Sequence, residues 1–182
     1  MLDTVAKLGL AISLASNVNS TQAFQYAKTI QKRSDDIGID PLTAVAIIAH
    51  ESNFDPAAIS SNHEDYGLFQ VRARYYGGDK LSLLNPSINL MVGFYLIRLN
   101  KEMCEKVLDR EPNTQEWLAC FQGSCTSKER MCRPTVLTQQ IDDFAECLRD
   151  DVEGGFTMDC RSNFRPVCMI GGELVECGKR AS

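Results

Sequence analysis

The chain has 182 residues, of which 44% are hydrophobic, and its formal net charge is −5. This length suffices for one domain, or for a domain with an appendage, that buries its own core. The mild acidity and the lack of a basic stripe argue against a nucleic-acid partner. No apolar run approaches the roughly 18 residues of a membrane span, so none is expected.

The N-terminal part of the chain is predicted to be helical. Residues 1–21 contain a short apolar run behind an acidic residue and a single lysine, which is typical of a mature helix and matches a signal peptide poorly. A residual leader is the alternative. Helical spacing of apolar residues predicts further helices at 22–36 and 41–52. Asp40 is suited to cap the latter, with Pro41 in its first position.

The remaining elements follow from the same periodicity. Residues 53–80 are expected to be mainly loop, with a short helix or turn near 68–74. Helices are predicted from residue 85 to about 108, from about 111 through 121, and over 135–150. Two short apolar segments around Gly171-Gly172 predict a β-hairpin in the tail.

All eight cysteines lie in residues 104–182: Cys104, Cys120, Cys125, Cys132, Cys147, Cys160, Cys168 and Cys177. An even number at this density indicates disulfides and an oxidising compartment, so we expect an exported protein, periplasmic or extracellular. Eight cysteines allow about a hundred pairings, which leaves the connectivity open. A zinc site is the alternative, but the chain has no C-x-x-C pair and its histidines lie far upstream. No metal or organic cofactor is therefore expected.

The most distinctive chemistry surrounds Glu51, which closes the apolar helix predicted at 41–52. Glu51 shares the helix flank of Ile47 and Ile48. Burial of a carboxyl group disfavours its charged form. We therefore expect Glu51 to keep a proton and to act as a general acid. For a glutamate taken alone, a solvated side chain at the helix end is the alternative.

Three segments, in order along the chain, resemble the soluble lytic transglycosylase and goose-type lysozyme superfamily. They are residues 51–60 (ESNFDPAAIS), 67–71 (GLFQV) and 85–96 (NPSINLMVGFYL). The resemblance covers roughly residues 24–124. With Asp65 and Tyr66 ahead of it, the second segment is most similar to the small transglycosylases that accompany secretion systems and pili. The resemblance implies a mainly α, lysozyme-like domain.

The resemblance also implies a reaction, cleavage of the β-1,4 bond between N-acetylmuramic acid and N-acetylglucosamine in peptidoglycan. Glu51 matches the catalytic glutamate, which would protonate the leaving oxygen. The resulting carboxylate would then take a proton from the muramic C6 hydroxyl and yield a 1,6-anhydro product. The acetamido group of the substrate can stabilise the positive centre, an exception to the two-carboxylate scheme. The expected substrate-binding residues are Ser52, Tyr66, Phe69, Gln70, Phe121 and Gln122.

The chain departs from the family at its Ala-Tyr-Asn motif. Phe121 takes the place of the tyrosine, whose hydroxyl reaches the catalytic glutamate, and Gln122 takes the place of the asparagine. The orientation of Glu51 is thus left to an apolar ring or to another hydroxyl, for which the candidates are Tyr66, Tyr75, Tyr76 and Tyr95. After Val71 the chain has Arg72 and Arg74, which are either contacts for peptide-stem carboxylates or lactyl groups or solvated loop charges.

Two other functions stay open at this point. An inverting hydrolase needs a second carboxylate about 6.5–9.5 Å from the acid, and Glu64 and Asp65 are the candidates. The other alternative function is that of a catalytically inactive protein that binds the cell wall. The absence of the family tyrosine is the reason to consider it. The expected partners are peptidoglycan glycan strands and, in addition, a secretion-system or wall-associated protein.

The predicted organisation has three parts: an N-terminal helix or residual leader at 1–21, a lysozyme-like catalytic domain at 22–124, and a cysteine-rich C-terminal extension at 125–182. The extension is expected to be disulfide-rich and to contain the β-hairpin. It is either a recognition module or a structural part of the domain.

Overall fold

The computed structural model describes residues 3–126, 131–155, 160, 167–170 and 173–176. The helices of this part are α1 (Thr4–Ala15), α2 (Ser20–Ile37), α3 (Pro41–Ser52), α4 (Pro86–Leu108), α5 (Thr114–Phe121) and α6 (Val136–Gly154). The strands form antiparallel pairs, β1 (Asp65–Tyr66) with β2 (Val71–Arg72), β3 (Cys125–Thr126) with β4 (Met131–Cys132), and β5 (Val167–Ile170) with β6 (Glu173–Glu176). The mainly α fold and the hairpin in the tail are confirmed.

Short polar residues begin the two helices that frame the site. Asp40 accepts a hydrogen bond from a first-turn N–H of α3 at 3.2 Å, and Pro41 occupies the first helical position. Asn85 accepts two backbone N–H groups at the start of α4, where Pro86 again takes the first position. Both helices therefore begin where their capping residues predict.

One hydrophobic core runs through all of these helices. Its centre is α3, in which every residue from 42 to 49 is buried. Helix α6 packs against α3 and belongs to the same core, and Arg149 on α6 donates to the Asp40 carboxylate at 2.7 Å. The first helix of the C-terminal extension is thus built onto the lysozyme-like domain, and the boundary near residue 124 stays a prediction.

The segment between α3 and α4 contains more structure than the sequence predicts. Strands β1 and β2 pair in a small hairpin, with Tyr66 opposite Val71, and the loop 67–70 joins them. Two short 3-10 helices follow, Ala73–Tyr75 and Lys80–Leu84. This hairpin carries three of the six residues that the sequence assigns to substrate binding, Tyr66, Phe69 and Gln70.

No helix in the described part of the chain has both the length and the apolar character to cross a bilayer.

Candidate active site

Glu51 lies in the last turn of α3, and its side chain is 26% exposed. Its Oε1 atom lies 3.8 Å from Nδ1 of His50. The chain then turns sharply, because Asn53 and Phe54 both adopt positive φ angles, 51° and 61°. Phe54 is completely buried and stacks on Tyr26 at 6.1 Å between ring centroids. This buried anchor fixes the point at which the helix ends and holds Glu51 at the edge of the core.

Ser52 connects the helix end to the loop between β1 and β2. Its hydroxyl donates to the carbonyl oxygen of Leu68 at 2.9 Å and also to that of Ile48 at 3.3 Å. Leu68 lies two residues before Gln70 in the chain. The residue beside Glu51 therefore sets the position of the loop that carries the predicted cleft amide.

The loop 67–70 is held in an unusual backbone conformation. Gly67 has a φ of 71° and Gln70, which is not a glycine, has a φ of 45°. The side-chain amide of Gln70 donates to the carbonyls of Gly67 at 2.9 Å and Ala58 at 3.2 Å. Left-handed backbone at a non-glycine residue is costly and is often found at functional sites. With its N–H₂ group used in the loop, Gln70 offers its amide oxygen to a ligand.

Asn89 on α4 holds this loop in place through hydrogen bonds. It is not among the site residues that the sequence predicts. It is fully buried, accepts from the N–H of Phe69 at 2.8 Å, and donates to the carbonyls of Tyr66 at 2.7 Å and Leu83 at 2.8 Å. Three backbone groups of two segments are thus satisfied by one amide. The signal was available, since Asn89 lies inside the 85–96 segment that carries the resemblance.

A cavity of about 420 Å³ lies between this loop, α4 and α5. Phe69, Gln70 and Phe121 all line it, so the structure brings these three predicted residues together. Phe69 contacts Phe94 edge to face, with 5.3 Å between the ring centroids. The Phe69 ring lies directly over Gly93, where a Cβ atom would collide with it. The absence of a side chain at that position lets the ring pack against α4.

Three of the four tyrosines proposed as substitutes for the family hydroxyl have other partners, and the fourth, Tyr95, has a side chain that is largely exposed. Tyr66 is buried, and its hydroxyl donates to the carbonyl of His63 at 2.8 Å, so it supports the loop from within. The hydroxyl of Tyr75 accepts from Arg74 at 2.7 Å, and that of Tyr76 accepts from a serine at 3.0 Å. In these positions the tyrosines stabilise the segment around the site.

The candidates for a second carboxylate lie beside a cation. Arg72 donates to Asp65 at 2.9 Å across the β1–β2 pair and lies 3.8 Å from Glu64. The hydrogen bond to Asp65 raises the pKa of the Arg72 guanidinium further. This pairing leaves Asp65 less available to activate a water molecule than an unpaired carboxylate would be.

Gln122 is joined to the C-terminal extension. Its amide oxygen accepts from the hydroxyl of Thr135 at 3.0 Å, and Thr135 is the N-cap of α6. Its amide nitrogen is buried and has no hydrogen-bond partner among the described residues. Gln122 follows Phe121, so this contact connects the wall of the cavity to α6.

Four cysteines converge beside the same wall. The sulfurs of Cys104, Cys120, Cys125 and Cys132 all lie within 4.8 Å of one another, which makes this group the candidate metal site of the described residues. Cys125 lies within bonding distance of both Cys120 and Cys132. Because one sulfur forms only one disulfide, these two contacts are alternatives. A separate disulfide joins Cys147 to Cys160.

A helical core with a glutamate at the end of a buried helix, next to an amide-bearing hairpin, defines a lysozyme-like domain. The model of the transglycosylase SLT domain family matches residues 28–121, which include α3, the hairpin, α4 and α5. The chain therefore belongs to this family, whose members are transglycosylases that cleave peptidoglycan. No curated protein matches the chain closely enough to add a named relative.

Proposed function

We propose that the protein is a lytic transglycosylase that cleaves the β-1,4 bond between N-acetylmuramic acid and N-acetylglucosamine. Glu51 is the acid that protonates the leaving oxygen, and its carboxylate then removes the proton from the muramic C6 hydroxyl. The bond from the anomeric carbon to the leaving oxygen breaks, and a bond to the C6 oxygen forms. The product is a 1,6-anhydromuramic end.

The observation that carries this proposal is the hydrogen bond from Ser52 to the carbonyl of Leu68. It joins the residue next to Glu51 to the loop whose Gln70 lines the cavity. Phe121, which is partly exposed, provides an apolar wall on which a sugar ring can pack, and the buried Phe69 supports the cavity from within. A glycan in this cavity would thus meet an amide oxygen and an aromatic ring.

The pairing of Asp65 with Arg72 favours a mechanism with one catalytic carboxylate over a mechanism with two. Inverting hydrolysis needs a free base opposite the acid, with a water molecule between them. A guanidinium at 2.9 Å competes with that water for Asp65. Transfer within the substrate needs no second carboxylate, so it suits this arrangement better.

Export to the periplasm or the cell exterior completes the proposal. The Cys147–Cys160 bridge and the closely spaced sulfurs of the cysteine cluster suit an oxidising compartment, where peptidoglycan lies. Residues 22–124 would form the catalytic domain. A place among the small transglycosylases of secretion systems would add a partner protein, for which Asp65 and Tyr66 in the second segment are the motivation.

The test is mass spectrometry of the soluble fragments that the protein releases from purified sacculi. We expect 1,6-anhydromuramic ends with the wild type and a loss of at least about a hundredfold in rate with Glu51→Gln. Glu64→Gln and Asp65→Asn are the matched controls and should retain the activity. Reducing ends that depend on Glu64 or Asp65 would instead establish hydrolysis, and the absence of fragments with the wild type would favour a wall-binding protein.

A further inference from the structure

A second groove lies next to the cavity of the proposed site, on the other side of Tyr75. Its volume is about 680 Å³, and it runs between α2 and α4. Tyr75 lines both spaces. Because they share this wall, a polymer that fills the first cavity passes directly beside the second groove.

The groove exposes large apolar side chains to solvent. Tyr75 is 60% exposed, Tyr95 is 58% exposed and Met91 is 48% exposed, and all three line it. Exposed apolar groups gathered around a concave surface with a polar rim mark binding sites. The aromatic rings here would pack against the flat or aliphatic parts of a ligand.

The charges of the groove select the kind of ligand. Arg33 on α2 and Arg98 on α4 line it from opposite sides, with Asp36 as the acidic residue on its wall. Arg98 uses its Nε atom to donate to Glu102 at 2.8 Å, which leaves its two terminal nitrogens for a ligand. At the shared wall, Arg74 lies over the ring of Tyr75. The three arginines Arg33, Arg74 and Arg98 outnumber the two carboxylates Asp36 and Glu102, so this surface has an excess of one positive charge in a chain whose net charge is −5.

We propose that this groove binds the carboxylate-bearing stem peptide of peptidoglycan while the glycan strand occupies the neighbouring cavity. The inference rests on the proposed function and names the second part of its substrate. Guanidinium groups bind carboxylates through paired hydrogen bonds. The sugar rings carry no charge for Arg33 and Arg98 to neutralise, whereas the peptide attached to muramic acid does. The groove therefore binds the peptide and not the glycan strand.

Binding is measured first, because it does not depend on cleavage. The isolated stem tetrapeptide is titrated into the full-length protein, and affinity is followed by calorimetry. Arg33→Gln/Arg98→Gln should weaken binding about tenfold, as expected for two partly exposed charge pairs. The control, Lys32→Gln/Lys106→Gln, removes the same charge from the same two helices outside the groove and should bind like the wild type. Equal affinity of the groove variant and the wild type would refute the proposal.

Cleavage then separates this inference from the proposed function. Rates are compared on intact sacculi and on sacculi from which an amidase has removed the peptides. The groove variant should lose about tenfold on intact sacculi and keep its rate on stripped glycan. An equal loss on both substrates would mean that the groove holds glycan and would overturn the assignment. A wild type that binds the tetrapeptide but cleaves neither substrate would contradict the proposed function and leave the groove assignment supported.

Discussion

At the scale of single residues, the position of Gln70 depends on Asn89, a fully buried side chain beneath the loop. The side-chain amide of Asn89 forms hydrogen bonds with three backbone groups, which would otherwise have no partner. A buried backbone group without a partner costs roughly 1–3 kcal/mol. Asn89 is therefore a positioning residue, and its loss should affect both the fold and the loop.

The Asn89→Leu variant removes this amide from beneath the loop. We expect the free energy of unfolding to fall by about 2–4 kcal/mol, because the N–H of Phe69 and the carbonyls of Tyr66 and Leu83 lose their partner. Urea titration measures the stability, and hydrogen exchange of the Phe69 amide measures the local opening. A variant with the wild-type unfolding midpoint and a protected Phe69 amide would show that the loop holds itself in place.

Gly93 illustrates how a missing side chain determines a cavity wall. Phe69 packs over it on the surface of α4, and a Cβ atom would lie inside the ring. Gly93→Ala should destabilise the protein by roughly 1–3 kcal/mol, since the ring must move within a packed core. The matched control is Gly154→Ala at the end of α6, where a Cβ meets open space and helix propensity should stabilise slightly. Thermal melts of both variants measure the difference, and equal behaviour would contradict the role given to Phe69.

At the scale of elements, helix α5 is short, and its stability depends on the capping interactions of its first turn. Asn113 and Glu116 form a reciprocal capping box, and Glu116 also receives two hydrogen bonds from Arg110, at 2.8 and 2.5 Å. The bonds from Arg110, with a smaller part from the Asn113 N–H, lower the pKa of Glu116. Since α5 ends at Phe121, this cap holds one wall of the cavity in place.

The pH dependence of this cap follows from the direction of the shift. A carboxyl whose pKa is lower in the folded protein contributes stability at neutral pH, and that contribution is lost as the pH falls through its folded pKa. Glu116→Gln should therefore melt at a lower temperature than the wild type at pH 7. The difference should shrink as the pH falls below about 4.5, the ordinary pKa of the group, and disappear once the pH has fallen through the lowered pKa of the folded protein. A constant difference across this range would mean that the charge of Glu116 contributes nothing.

The helices could be predicted from the sequence because their signals are local. The apolar spacing and the Asp40-Pro41 pair define α3, whose bounds are as predicted, Pro41–Ser52. The β1–β2 hairpin was missed because a strand of two residues has no periodicity to read. Its position depends on hydrogen bonds to Ser52 before it and to Asn89, more than 15 residues farther along the chain. Local sequence patterns thus predict the helices, whereas the geometry of the site depends on contacts between residues that are distant in the chain.

The candidate site divides in the same way. Ser52, Phe69 and Gln70 could be named from the sequence because the resemblance covers their segments, and the structure places them around one loop. The support beneath them could not be read from spacing. Neither could the contact of Gln122 with Thr135, which joins the cavity wall to a helix outside the matched residues 28–121.

At the scale of the whole molecule, the cysteine cluster joins helices α4 and α5 to the strands β3 and β4. Cys104 comes from α4, Cys120 from α5, and Cys125 and Cys132 from β3 and β4, which pair directly opposite each other. Burial raises the pKa of the Cys104 thiol to about 11, so it is a weak nucleophile at neutral pH in the folded protein.

If Cys125 is bonded to either Cys120 or Cys132, two pairings use each of the four sulfurs once, and the backbone favours one of them. The Cα atoms of Cys120 and Cys125 are 5.0 Å apart, inside the usual range for a disulfide, whereas those of Cys125 and Cys132 are only 4.1 Å apart. Pairing Cys120 with Cys125 leaves Cys104 and Cys132, whose sulfurs lie 3.3 Å apart. We therefore predict the bridges Cys120–Cys125 and Cys104–Cys132.

Tryptic mapping without reduction distinguishes the alternatives, because the cleavage sites separate the cysteines. In every case the Cys147–Cys160 bridge links residues 131–149 to residues 150–161. The predicted pairing releases residues 111–128 as a single peptide with an internal bridge, and joins residues 102–106 to residues 131–149. The other pairing joins residues 111–128 to both of those peptides. Four thiols that react with an alkylating agent only after a chelator is added would contradict both pairings and indicate a bound metal ion. If the predicted bridges are present, Cys104→Ser/Cys132→Ser should lower the free energy of unfolding by about 2–4 kcal/mol, because a loop across the domain boundary is no longer closed.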